Sequence, residues 1–219
     1  MNDDTDECLK AWAKVLHPDL LRSNLIAASL YLTAWETLRD CVIGQLRSFY
    51  NIGLSDKGDT VGPEYASRVL ARNMSPLLAS LLWFQEEGVI DETDLELVDL
   101  LRAHRNEIAH HLPEFIGKQG RDIDVVLLGR LLDLVAKIDR WWIRQIEIPT
   151  NPDFDGQDVD SIPDDQIQSG RMIFLGMLIR VSTGDRDDAV KSFDQILAAV
   201  NERRSSQTRV PGAMHSSPA

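Results

Sequence analysis

The chain has 219 residues, and its apolar share of 43% and charged share of 26% exclude wholesale disorder and allow one sizeable core. Its 23 basic and 35 acidic residues leave a formal net charge of −12, the wrong sign for coating long duplex DNA or other polyanions. Cys8 and Cys41 make no disulfide framework and read as free thiols.

The N-terminal MNDDTDE lacks the basic start and apolar run of a secretory signal. No uncharged apolar stretch reaches the ~18 residues of a membrane span. These features predict a cytoplasmic protein with no membrane contact. Residues 1–18 are expected to form an N-terminal segment with a short helix that ends at His17-Pro18.

Helical periodicity then dominates, and no alternating strand stands out. Asp19 to Tyr50 reads as one long helix, with Leu21, Leu25, Ala28, Leu32, Trp35, Leu38 and Val42 at 3–4 spacing. Gly53, Gly58 and Gly62-Pro63 predict a polar loop. A second helix is expected from Glu64 to Glu87, broken or kinked at Pro76 and capped by Gly88. A third starts near Asp91-Glu92-Thr93-Asp94, where acids complement the helix dipole, and ends near Leu112-Pro113. A fourth spans Ile123 to Ile146. Residues 19–148 thus form an all-α, four-helix bundle.

Residues 149–165 hold three prolines, a glycine and six aspartates but no base, which predicts an acidic linker. Two short helices, Gln166 to Val181 and Arg186 to Asn201, would make a C-terminal hairpin within 166–202. The remaining 203–219 is expected to be a disordered tail.

One segment carries chemistry. Leu101 to Leu112, LRAHRNEIAHHL, holds three of the five histidines, two arginines, an Asn and a Glu. Val98, Leu101, Ile108 and Leu112 form an apolar stripe, and Arg105 interrupts it. Such an arginine is paired, snorkelled or turned to a polar cavity or an interface. Arg102, Asn106 and His110 share another face. Arg105 and His110 are about 140° apart around a regular helix, so one helix does not aim both at one atom. Two copies about a two-fold axis would do so, as would unwinding near Pro113.

A neutral imidazole takes a proton near physiological pH. A guanidinium fork matches phosphate and stabilises charge on its oxygens. An Asn holds a tautomer or donates to phosphate. The set suits cleavage of an RNA phosphodiester by its own 2′-hydroxyl. The zincin order H-E-x-x-H is absent, as are a P-loop and a nucleophile elbow, so no metal or cofactor is expected.

Arg105-Asn106-Glu107-Ile108-Ala109-His110 resembles the R-x4–6-H signature of the HEPN superfamily, including the polar residue that follows the Arg. The resemblance covers the motif and a compatible bundle up to Ile148. It implies a HEPN-like four-helix bundle that dimerises and joins two motifs into a metal-independent endoribonuclease site, in a toxin or an anti-phage defence effector. Arg105 and His110 would be catalytic, with Asn106 positioning and His111, Arg102 and Glu107 supporting. The implied partners are a limited, loop-like RNA, a second copy of the chain and an antitoxin or regulatory protein. Toxins of this superfamily that pair with a nucleotidyltransferase antitoxin commonly carry a Tyr two residues beyond the His, which other branches lack, and here that position is Leu112. The residues also admit a non-catalytic module for dimerisation, nucleotide or partner-protein binding. Arg105 would then pair with an acid on a neighbouring helix, and His110 and His111 would be cations at a helix C-terminus.

Overall fold

The computed structural model describes residues 12, 14–55, 58–117, 121–159 and 161–184. Cys8, His215, the predicted helix from Arg186 to Asn201 and the tail lie outside the described residues. The chain divides into two units, Met1–Gly176 and Met177–Ala219. The described part of the second is the end of one helix and Gly184.

The first unit is a helical bundle. Helix α1, Pro18–Arg39, runs through a π turn at Asp40–Gly44 into α2, Gln45–Phe49. Pro18 suits the start because a first-turn residue needs no amide donor. Of the apolar stripe predicted from the sequence, Ala28, Trp35, Leu38 and Val42 lie in the core, joined by Tyr31 and Ala34, Leu21 and Leu32 are partly buried, and Leu25 is exposed.

The segment predicted as a polar loop instead forms an antiparallel hairpin. Strands β1, Asn51–Ser55, and β2, Gly58–Val61, pair Asn51 with Val61 and Leu54 with Asp59. A further bond, Gly62 N to Tyr50 O at 2.8 Å, ties its base. The strands are short and polar, so backbone bonds hold them and no alternating apolar pattern announces them.

Helix α3, Pro63–Arg68, passes into a 3₁₀ turn, Leu70–Arg72. The chain then breaks before Pro76, where a break or kink was predicted, and α4 occupies Pro76–Glu86. Ser75 caps α4, and Gly88, with φ 72°, reverses the chain after it.

Helix α5, Glu92–Gly117, opens on a reciprocal cap: Asp94 N donates to Asp91 Oδ1 and Asp91 N to Asp94 Oδ2, both at 3.0 Å. The hydrogen bond from Thr93 and those from backbone amides hold the Asp91 carboxyl below its usual range. Helical dihedrals lapse at His111 (φ −127°, ψ 25°), then resume for one more turn. The predicted end at Leu112-Pro113 is thus a kink rather than a stop. Pro113 lacks the amide donor, but Phe115 is buried in the core and anchors the last turn.

Asp124 caps α6, Val125–Trp142, by accepting from the amides of Val126 and Leu127, both at 2.9 Å. Asp124→Ala is expected to cost about 1 kcal/mol in urea denaturation, the usual value of such a cap. A second π turn, Ile143–Glu147, extends the rod. The main packing sets α1 against α5 and α6, with Trp142, Phe84 and Trp83 closing one end.

After α6 the acidic stretch makes two 3₁₀ turns. Arg144 ties it back, donating from Nε to Asp164 at 2.8 Å and from Nη2 to the Ile162 carbonyl. Helix α7, Gly170–Thr183, completes the described chain. No helix among the described residues is long and apolar enough to cross a membrane.

Candidate functional site

The residues singled out by the sequence lie on α5, and the fold sorts them into three groups. The first is Arg105 with Asn106. Arg105 lies on the side of α5 that meets α1, where its Nη2 donates to Glu36 Oε1 at 3.1 Å and its Nη1 to Asn106 Oδ1 at 3.3 Å. Its Nε is buried and has no hydrogen-bond partner among the described residues. The side chain as a whole stays 31% exposed, so the guanidinium is anchored without being sealed.

His110 is the second group. It is exposed, one residue before the kink at His111, and has no hydrogen bond or ion pair among the described residues. Arg102 and Asn106 are exposed on the same side, and Arg102 makes only a local pair with Asp99 at 2.9 Å. Arg105 and His110 therefore keep the angular separation of a regular helix: one faces the groove to α1, the other faces outwards.

Glu107 and His111 belong to a third group, with Arg121 and Glu114. Arg121 lies 3.9 Å from Glu107 and 2.5 Å from Glu114, and His111 Nδ1 lies 3.2 Å from Glu114. The Arg121 guanidinium also stacks over Phe115, 5.0 Å from its centroid. Glu107 and His111 thus contact the turn that follows the kink while each side chain stays more than half exposed.

His104 sits apart, on the core side of α5. Its ring meets Tyr31 and Phe115 edge-on, and its Nε2 accepts the Asp124 amide at 3.0 Å. Burial lowers the imidazole pKa below its ordinary value, against the pull of Asp124 and Glu107. Tyr31 donates to the Leu101 carbonyl at 3.2 Å, and burial, then the Asp124 charge, raises its phenol. A lowered histidine pKa means that the unfolded chain takes up the proton first as pH falls. Stability from this site is thus complete above the unfolded value of about 6.5 and declines below it, towards the lower folded value. Between pH 7 and pH 5 the protein is expected to lose stability in urea melts. His104→Gln, which cannot titrate, should flatten that part of the profile; an unchanged slope would show that other groups set it.

Sequence patterning did not reveal the polar cluster around Asp139. Asp139 is fully buried on α6. Its Oδ1 accepts from Gln45 Nε2 at 2.9 Å, Arg171 Nη1 at 3.0 Å and Cys41 Sγ at 3.2 Å, and its Oδ2 from Ser169 Oγ. Burial, then Asp139, pushes the Cys41 thiol well above its usual value, so it is a poor nucleophile. For Arg171, burial opposes the charge, but Asp139, Cys41 and Asp40 raise its pKa. The sequence did carry a signal: Asp139 shares a stripe with Val135, Ile138 and Trp142, where an acid must find partners. Among the described residues, no three His, Cys, Asp or Glu side chains gather as a metal site.

No protein-family model matches the chain, and comparison with curated proteins and with solved structures gives no significant match.

Proposed function

We propose that the protein is a metal-independent endoribonuclease of HEPN type with a HEPN-like four-helix bundle, acting as a toxin or defence effector at a site shared between two copies of the chain. The observation that carries this reading is the state of the motif on α5. Arg105 is held by Glu36 and Asn106 yet reaches water, and His110 stands open beside the kink. Within one chain the two point apart. A second copy, placed about a two-fold axis, supplies the missing partner to each.

In this mechanism His110 takes the proton from a ribose 2′-hydroxyl, and the 2′-oxygen forms a bond to phosphorus. The bond from phosphorus to the 5′-oxygen breaks, and that oxygen takes a proton as it leaves. Arg105 stabilises the charge on the non-bridging oxygens, and Asn106 positions the phosphate. His111, Arg102 and Glu107 frame the site. The products are a 2′,3′-cyclic phosphate and a 5′-hydroxyl. The net charge of −12 favours a short or looped RNA over a long duplex.

Incubating the protein with structured RNA in EDTA should yield fragments with those ends. Fragments bearing a 3′-hydroxyl and a 5′-phosphate would refute the mechanism. The Arg105–Glu36 ion pair favours a second reading, a non-catalytic HEPN-like module for dimerisation, nucleotide or partner-protein binding. In that case no fragments form, and Arg105→Ala weakens the dimer instead.

A further inference from the structure

We infer that the end of the bundle remote from the α5 motif holds a second site, for a nucleoside monophosphate unit, on either side of Trp141. Two adjoining cavities, of about 510 and 280 Å³, share Trp141 and Gln145 in their walls. The larger is lined by Phe49, Tyr50 and Trp83, together with Arg68 and Arg72. The smaller is lined by Lys137, Arg140 and Arg144, one basic stripe at the 3–4 spacing of a helix face. A chain with twelve more acids than bases thus gathers five cations around one group of aromatic rings.

Three of these cations are already neutralised. Arg72 pairs with Glu86, Lys137 with Asp94 at 2.6 Å and Arg144 with Asp164 at 2.8 Å. Arg68 and Arg140 make no ion pair among the described residues, and the Arg140 Nε is buried without a hydrogen-bond partner. Arg140 as a whole is only partly buried and lines the smaller cavity, so its guanidinium keeps donors that no acceptor among the described residues takes. Guanidinium groups take phosphate oxygens in pairs, and aromatic rings take the flat face of a base. Phe49 is exposed and Trp141 half-buried, so both present ring surface to the larger cavity. Glu87 in the same wall limits the bound charge: one phosphate fits, and a polyphosphate meets repulsion. The volume suits one nucleotide.

This site is independent of the ribonuclease reading. Phe49 lies thirteen residues beyond Glu36 on one helical run, about 20 Å along it at 1.5 Å per residue.

The bound unit is either a free mononucleotide or one residue of an RNA strand. Tryptophan fluorescence of the full chain, titrated with AMP, UMP, a 2′-O-methyl RNA tetramer and inorganic phosphate, separates these. Saturable quenching by a mononucleotide identifies a free ligand, and quenching by the tetramer alone identifies a strand. In either case Arg68→Glu, an exposed change, should weaken binding by about tenfold or more, the effect of losing one charge-assisted contact. Arg140→Gln should weaken it too, and Arg130→Gln, an exposed change on α6 outside both cavities, should leave it unchanged. No saturation by any nucleotide probe up to about 1 mM, a limit below which even weak sites bind, would overturn the proposal. So would equal affinity in wild type and Arg68→Glu, or a loss of binding in Arg130→Gln as large as that in Arg68→Glu.

Discussion

Arg105→Ala and His110→Ala are each expected to slow RNA cleavage by about a hundredfold or more, the usual cost of removing a charge-stabilising donor or a general base. Neither change should unfold the protein. The Arg105–Glu36 pair is partly exposed on both sides, and such pairs contribute under about 1 kcal/mol. The exposed His110 makes no hydrogen bond among the described residues that the variant would lose. Cleavage of a labelled RNA in EDTA, read beside thermal melts, separates chemistry from folding. Mixing the two variants tests the shared site. If Arg105 of one copy works with His110 of the other, mixed dimers recover activity that neither variant has alone. No recovery, with both proteins folded and dimeric, would sink the two-copy arrangement. A structural arginine gives the opposite pattern: a lower Tm and no activity to lose.

Asp139→Ala is expected to be the most destabilising change considered, at about 3 kcal/mol, a value typical of a broken buried ionic cluster. For a chain of this length that corresponds to a fall in Tm of roughly 10 °C. The carboxylate has no solvent exposure and accepts from four side chains on separate parts of the fold. Without it, Gln45, Cys41 and Ser169 lose their common acceptor in a site that water does not reach readily. Arg171 suffers less, because it reaches solvent and keeps Asp40 at 3.2 Å, so the cost stays at the low end of the range. Asp139→Asn preserves the shape and an acceptor oxygen and should cost about half as much. Urea denaturation measures both, and a loss below about 1 kcal/mol for the alanine would mean that the cluster adds little net stability.

The helices were readable where they are long, periodic and bounded by a residue that acts locally, whereas the short α3 and its 3₁₀ turn were merged with α4 in the reading. Pro18 starts a helix by its fixed φ, Ser75 and Asp91 start others by capping, and Gly88 ends one by its positive φ. The hairpin at 51–61 was not readable, because its strands carry mixed polar residues and depend on pairing that local sequence does not encode. The turn after Pro113 was hidden for a related reason. Pro113 argues for an end, and the burial of Phe115 that overrides it is a tertiary effect. At the motif, the oddity of Arg105 on an apolar stripe was visible, and the structure places it half-buried against α1. Its partner was not visible, since Glu36 and Asp40 are equal candidates until α1 and α5 are docked. The contacts of Glu107 and Glu114 with Arg121 likewise depend on a loop returning to α5, whereas the His111–Glu114 contact is local to the helix.

The proline that bends α5 also leaves a mark on the surface beside His110. In an unbroken helix the carbonyl of Ala109 would accept the amide four residues on, but that residue is Pro113, which has none to give. The Ala109 oxygen, on an exposed residue next to His110, is therefore denied its usual amide donor. At such a bend the acceptor turns to hydration water or to an amide in a neighbouring register, so the last turn of α5 is held by side chains more than by the helical ladder.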